Sequence, residues 1–459
     1  MYQIDFDHPV SVYFIGIGGI SMSGLAEILL SRGFTVSGSD RAASALTRQL
    51  EEKGAIIHYG QRAENITPDI DLIVYTAAIS KDNPEWIAME ELQIPSLSRA
   101  ELLGELMRNY EVPVAISGTH GKTTTTSMVS EILLKGETDP TLSIGGILKS
   151  IDGNIRVGRS EYFVTEACEY TNSFLHFNPK ISIILNIEED HLDFFKDITE
   201  IRDSFHRFAT LIPEDGTLII NAEIERLEEI TEGISGSFLT YGFEPDCDYY
   251  ATDISYNELG YPTFTLCSKK YPDSSVTLSV PGRHNISNAM SAIAFADCIG
   301  IDRETSLQAL KDFNGTQRRF EKKGEVAGIT IIDDYAHHPT EIEATLQAAS
   351  NYPHKTIWCI FQPHTYTRTK AFLPEFARAL SKADRVVLAD IYAAREKDTL
   401  GISSQDLCDA INKLGADCDY FPSFDEIENF LLENCTQGDL LITMGAGDIV
   451  KVGERLLGK

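Results

Sequence analysis

Positive charge is what this sequence has least of. Its 459 residues carry 39 Lys and Arg against 69 Asp and Glu, a formal charge of −30. A chain so acidic is not drawn nonspecifically to nucleic acid or to an anionic membrane. An anionic substrate therefore needs local cations or a metal ion. Cysteine is sparse and unpatterned. The eight, at Cys168, Cys247, Cys267, Cys298, Cys359, Cys408, Cys418 and Cys435, form no Cys-x-x-Cys pair. That speaks against a zinc ribbon and leaves a disulfide framework without support. Reduced thiols, and hence a cytoplasmic setting, are expected. Met1 to Val10 is acidic and has no basic start leading into an apolar stretch, so no signal peptide is expected. Nowhere are there about 18 consecutive apolar residues, so no membrane-spanning helix is expected.

The remainder is ordinary for a globular chain, at 43% hydrophobic and 24% charged. Collagen, coiled-coil rods and disordered chains are excluded. At roughly 100–200 residues per domain, three domains are the natural division. Short apolar runs alternate with amphipathic stretches. Val12 to Ile15, Phe34 to Ser37 and Leu72 to Tyr75 read as strands, with a helix over Ser21 to Arg32. A second series runs through Val114 to Ser117, Tyr162 to Thr165, Ile181 to Leu185 and Thr217 to Ile220. A third runs through Thr330 to Ile332, Thr356 to Phe361, Val386 to Ala389 and Leu440 to Thr443. Such alternation predicts βα units around parallel sheets, an α/β fold. Between Tyr241 and Pro281 the pattern predicts a β meander. Boundaries near Tyr110 and Asn314-Gly315 give units 1–110, 111–313 and 314–459.

Two glycine clusters join a strand to a helix. Gly16-Ile17-Gly18-Gly19-Ile20-Ser21 suits a pyrophosphate at a helix N-terminus, with Asp40 at the end of the next strand where an acid would meet a ribose. Ser21 stands where a dinucleotide fingerprint has its third glycine. The cluster reads as a site for either NAD or a UDP-sugar, or as a bare βα turn. Ser117-Gly118-Thr119-His120-Gly121-Lys122-Thr123-Thr124 is a shortened P-loop. Its backbone N–H groups would cradle phosphates, with Lys122 on the β/γ oxygens and Thr123 on Mg²⁺. Ile116 stands where the ordinary template has its first glycine.

Downstream, Glu166 follows a strand where a metal-positioning acid belongs, and His191 closes Asn186-Ile187-Glu188-Glu189-Asp190-His191 after the next strand. Cys168 reads as structural, since nothing nearby would lower its pKa. Asn285 and Asn288 either hydrogen-bond a base or cap the helix that follows. Arg319, beside the second boundary, either reaches a phosphate or is a solvated charge. Asp333-Asp334-Tyr335-Ala336-His337-His338-Pro339 sits at a strand's carboxyl end, where α/β sheets place ligands.

Taken in order, Gly118 to Thr124, Glu166, Asp190-His191, His284-Asn285, Arg319 and Asp334 resemble the Mur ligase family, the ATP-dependent amide-forming enzymes of peptidoglycan synthesis. The likeness covers nearly the whole chain. It implies a Rossmann-like UDP-binding domain, a central P-loop ATPase domain and a C-terminal Rossmann-like domain that brings the amino acid. The opening Gly16 to Gly24, the Ser39-Asp40 pair and Asp334 to Pro339 resemble the branch that joins L-alanine to UDP-N-acetylmuramate. By that resemblance Lys122 and Arg319 steady the γ-phosphoryl group, Thr123 and Glu166 hold Mg²⁺, and His191 serves a second metal or the substrate. Gly118, Thr119, His120, Gly121, Lys122, Thr123, Thr124, Asn285 and Asp334 hold ATP. Gly16, Gly18, Gly19, Ile20, Ser21, Ser39 and Asp40 hold the UDP-sugar, and Tyr335, His337 and Arg368 hold L-alanine. The chain would act as a monomer or homodimer, with no nucleic-acid or membrane partner.

Three positions depart from common patterns of the family. Cys168-Glu169-Tyr170-Thr171 replaces an Asp-Glu-Ser-Asp run. Pro363-His364-Thr365-Tyr366 lacks an arginine. His206 falls where sister ligases use a carbamylated lysine, so none is expected here. The rival readings are a branch that attaches a whole tripeptide, an NAD-dependent dehydrogenase built on Gly16, Gly18 and Asp40, and a non-catalytic nucleotide sensor.

Overall fold

A computed structural model describes residues 2–76, 78–394 and 396–459. The described residues form three sheets. The first is all parallel, in the order Ile56–Tyr59, Thr35–Asp40, Ser11–Ile15, Leu72–Tyr75, Ser96–Ser98. The strand order reverses beside Ser11–Ile15, which opens a crevice at the carboxyl ends of the strands. Gly16 to Ser21 leaves that end and runs into the helix Ile20–Ser31.

The central sheet has ten strands. Its middle is parallel, in the order Thr217–Asn221, Ile181–Ile184, Val112–Ser117, Tyr162–Ala167. Val114, Ile116, Val164, Ile183 and Ile219 are fully buried, as expected of strands covered on both faces. The expected meander is present as the antiparallel strands Tyr249–Tyr256, Pro262–Ser268 and Ser274–Thr277. Tyr241 is not part of it. That residue lies next to the end of the strand Ser237–Gly242, which pairs in parallel on both sides. The third sheet runs Glu321–Val326, Ile329–Asp334, Leu440–Met444, Ile357–Phe361, Arg385–Leu388, Asp417–Tyr420, with only the first strand antiparallel.

The joints between the sheets differ in chemistry. One apolar cluster runs from the first sheet into the second, taking in Phe14, Leu102, Leu106, Phe163, Phe174 and Phe205. Gly104, on the helix Arg99–Met107, lies against the His176 carbonyl, where no Cβ would fit. Among the described residues no such cluster joins the central and third sheets. Their contact is made by polar side chains, from loops of the central sheet and from His338 and the helices Pro339–Ser350 and Tyr366–Ala371 of the third. No helix of the described residues is long and apolar enough to cross a membrane.

Candidate active site

Ser117 ends the strand Val112–Ser117, and the chain turns through Gly118 (φ +145°) and Gly121 (φ +84°) into the helix Lys122–Lys135. Positive φ values such as these favour glycine. Gly121 is the N-cap, and no side chain caps this helix, so its first N–H groups face the loop, as an anion site requires. Asn186, at the end of the adjacent strand, clamps the turn. It accepts from the His120 N–H at 2.7 Å and donates to the His120 carbonyl at 3.1 Å. Thr119 turns inward, its hydroxyl accepting from Glu188 N–H at 2.9 Å.

Lys122 folds back over the loop. Its ammonium donates to the Gly118 carbonyl and, at 3.1 Å, to that of Thr119. It also pairs with Glu169 at 3.0 Å. Burial opposes the lysine's charge, but Glu169 outweighs it and its pKa is raised. Thr123 donates to Glu166 at 3.1 Å, and the other oxygen of Glu166 accepts from Gly145 N–H. A Cβ on Gly145 would stand 2.5 Å from Glu166. The pair of hard oxygen donors, Thr123 Oγ1 and Glu166 Oε2, suits Mg²⁺. Among the described residues, His191 Nε2 lies within 4 Å of Glu169 and Asp190, at 3.8 Å each, rather than of Glu166. Burial and Glu169 push the Cys168 thiol up to about 11, so it carries no thiolate at neutral pH.

Beside this loop opens a cavity of about 580 Å³, lined by His120, Thr124, Asn285, Asn288, Arg319 and Asp334 among others. Neither asparagine caps the helix that follows. Gly282 is the N-cap, and Asn285 instead donates to the Pro281 carbonyl and accepts from Asn288. Asp334 faces the cavity with its oxygens already engaged by Phe320 N–H, Ala336 N–H and the Thr345 hydroxyl. Burial raises its carboxyl to about 6, against the pull of Arg319.

The third sheet closes over the loop. His120 Nδ1 lies 3.2 Å from Glu341, and its Nε2 lies 3.5 Å from Glu188. Burial opposes a charge on His120, but Glu341 and Glu188 prevail and hold its pKa at about 10. His338 and Thr340 reach the Glu189 carbonyl and the Glu188 carboxylate. Arg368 pairs with Asp190 through Nε at 3.2 Å and Nη2 at 2.9 Å, while Nη1 meets His364. Two of the faces expected to grip an amino-acid carboxylate are therefore held by Asp190. Tyr335, His337 and His364 form a chain of ring contacts. Burial keeps His284, His337 and His338 neutral, each near 4. His337 Nδ1 faces the Tyr335 carbonyl at 3.0 Å. A carbonyl only accepts, so that nitrogen carries the proton and Nε2 the lone pair.

At the first sheet, Gly16 takes a φ of +83° and Ile20 is 67% exposed. Asp40 braces the turn by accepting from Gly18 N–H at 2.8 Å. Ser39 departs from expectation. It is fully buried and its hydroxyl donates to Glu85, so its part in the turn is a backbone carbonyl accepting from Gly16 and Ile17. His206 Nδ1 faces the Ile230 carbonyl between two helices.

Sequence reasoning missed Glu169, Glu188, Glu341 and Gly145. Glu341 had a visible signal: it stands three residues after the helix cap His338, the capping-box spacing. Gly145-Gly146 inside a strand was a second, since an interior strand glycine marks a close approach.

A P-loop with a carboxylate beside its threonine, walled in by a separate α/β sheet, defines a nucleoside-triphosphate-using α/β protein of three domains. The chain belongs to the Mur ligase family: residues 11–111 match the Mur ligase family catalytic domain, 116–296 the Mur ligase middle domain and 318–447 the Mur ligase glutamate ligase domain. It is 60% identical to the UDP-N-acetylmuramate–L-alanine ligase of Agathobacter rectalis, over the whole of both chains. The enzyme so named from Lachnospira eligens is 59% identical, also over the whole of both. The crystal structure of the UDP-N-acetylmuramate–alanine ligase of Thermotoga maritima superimposes with a TM-score of 0.80, at 30% identity and 98% of each chain. A murein peptide ligase of Psychrobacter arcticus superimposes with a TM-score of 0.70, at 27% identity and 98% of each chain. The dehydrogenase and sensor readings lose their ground.

Proposed function

We propose that this chain is an ATP-dependent ligase of peptidoglycan precursor synthesis, working in the cytoplasm. It joins the amine of L-alanine to the lactyl carboxylate of UDP-N-acetylmuramate and releases ADP and phosphate. The carrying observation is the P-loop with Thr123 against Glu166 and Lys122 above the loop, tied through His120 to Glu341 of the third sheet and flanked by the Asp190–Arg368 pair. Full-length identity of 60% to a ligase of that name supports the choice of substrates.

A carboxylate is a poor electrophile. In the reaction one of its oxygens attacks the γ-phosphorus of ATP, ADP leaves, and an acyl phosphate forms. The amine then attacks the acyl carbon, and phosphate departs from a tetrahedral intermediate. Residues 1–110 hold the UDP-sugar, with Gly16, Gly18, Gly19, Ile20, Ser21 and Asp40 at its pyrophosphate. Residues 111–313 hold ATP, and 314–459 bring the amino acid. Lys122 and Arg319 balance the charge that spreads over the transferring phosphoryl oxygens. Thr123 and Glu166 would hold Mg²⁺, with His191 on the substrate side, and the ion would supply charge neutralisation for the phosphates. Arg368 meets the alanine carboxylate through Nη1, sharing its guanidinium with Asp190. His337 Nε2 accepts a hydrogen bond from the amine's N–H and so aims the amine's lone pair. The acidic surface is no obstacle, because the cations are local.

Phosphate release from MgATP with UDP-N-acetylmuramate, measured with L-alanine, other amino acids or a tripeptide in turn, tests the reading. Release that depends on L-alanine is expected. Release driven by the tripeptide would transfer the chain to the other branch.

A further inference from the structure

Glu341 does more than its local position requires. It is the third residue of the helix Pro339–Ser350, and one oxygen, Oε2, accepts from the His337 and His338 N–H groups at 3.0 and 3.3 Å. That cap needs only one oxygen. The other, Oε1, crosses to the central sheet, 3.2 Å from His120 Nδ1 in the nucleotide loop, with Arg319 Nη1 at 4.0 Å. On its own side Glu341 also lies 3.3 Å from His337 Nδ1. Among the described residues other contacts also join these two sheets: Thr340 to Glu188, His338 to Glu189 and to the His120 ring at 4.7 Å, and Arg368 to Asp190. Of these only the His120–His338 ring contact also reaches the nucleotide loop, and it is a ring contact without the ion pair that Glu341 makes. No apolar cluster of the described residues fixes this joint, so its geometry depends on polar contacts.

We propose that Glu341 is a positioning residue, the carboxylate that makes a formed nucleotide loop and a formed amino-acid cluster one and the same assembly. The inference rests on the ligase reading for the identity of the second substrate. Its physical basis is the charged His120–Glu341 pair. Facing His120 are Glu188 from the loop after Ile181–Ile184, and Glu341 and His338 from the third sheet, with Arg319 behind Glu341. The two carboxylates keep His120 protonated against burial. Without the charge of Glu341 the imidazole loses its proton nearer neutrality and the loop loses its tie.

Glu341→Gln tests this in the full-length protein, since glutamine keeps the shape and an oxygen for the cap. At pH 6 the variant should bind MgATP within about threefold of the parent, a factor worth under 1 kcal/mol. At higher pH the two should separate, and the alkaline fall in MgATP affinity should begin at least about one pH unit lower. In turnover, kcat should fall by about 10²-fold, the cost of an ångström-scale misplacement, and the KM for L-alanine should rise. His120→Gln removes the titrating group from the other side and should lack the alkaline limb. Thr340→Val breaks a neighbouring contact of the same joint and should leave that limb where the parent has it.

An unshifted pH profile in Glu341→Gln would overturn the proposal, as would an equal shift in Thr340→Val. MgATP binding needs no amino acid. A parent enzyme that ignores L-alanine would therefore strike the ligase reading while the pH profiles still decide the role of Glu341.

Discussion

Lys122 and Glu169 meet at 3.0 Å over the phosphate-binding turn, an ammonium and a carboxylate both withdrawn from solvent. In a chain of net charge −30 this pairing keeps one cation fixed at the loop. On the proposed reading the γ-phosphate shares Lys122 with Glu169. Lys122→Ala should lower kcat by at least about 10²–10³-fold, as removal of a preorganised charge clamp does. Phosphate release under saturating MgATP checks it, and near-normal turnover would contradict the P-loop assignment.

Gly145 leaves room for the carboxylate beside Thr123. A methyl group there would stand 2.5 Å from Glu166 Oε2 and push it aside. Gly145→Ala should raise the Mg²⁺ concentration for half-maximal activity by about 10–100-fold, the usual scale for disturbing a ligand's support. Magnesium titrations of activity, with circular dichroism to show an unchanged fold, would read it. An unchanged magnesium requirement would remove Glu166 from the metal.

Asp190 and Arg368 are a buried pair across the joint between the central and third sheets. Removing one partner strands the other's charge, at a cost of about 3 kcal/mol. Asp190→Ala should raise the KM for L-alanine and leave the affinity for UDP-N-acetylmuramate unchanged, because the first sheet is held by an apolar joint instead. Equilibrium binding of each ligand separates these effects. Equal weakening of both ligands would show that Asp190 supports the whole fold rather than this joint.

Acid should loosen the protein in a defined window. His284, His337 and His338 stay neutral in the fold, each near 4, while in the unfolded chain they titrate near 6.5. Between those values the unfolded state binds more protons, so stability falls as pH drops below about 6.5 and this contribution levels off near 4. Asp190 adds to the loss further down. Burial opposes its charge, but Arg368 holds its pKa well below 3.8, so its stabilisation fades as pH falls through the acid range. Urea titrations between pH 7.5 and 5 should show a declining midpoint. A flat midpoint would mean that these histidines are solvated.

The parallel cores were readable because Val114, Ile116, Ile183 and Ile219 form unbroken apolar runs between glycine turns. Glu321–Val326 was not, since it is a polar edge strand with none of its residues buried. Thr141–Leu148 was hidden by its two glycines, which are there to admit Glu166 and Thr123. Motif residues that act through local backbone, such as Gly118, Gly121 and Lys122, stood out. Glu169, Glu188 and Glu341 did not, because their meaning lies in contacts 47 to 221 residues away along the chain, such as Lys122 to Glu169 and His120 to Glu341. Ser39 misled for the opposite reason: its neighbour Asp40 faces the turn, and alternation along the strand sends Ser39 to Glu85 in the interior.

The central claim is that the carboxylate is activated by phosphorylation before the amine arrives. UDP-N-acetylmuramate labelled with ¹⁸O in both carboxylate oxygens tests it in one turnover with MgATP and L-alanine. The released phosphate should carry one ¹⁸O and the new amide keep the other, read by mass spectrometry. Unlabelled phosphate, with the lost ¹⁸O recovered in water as the amide forms, would contradict the claim.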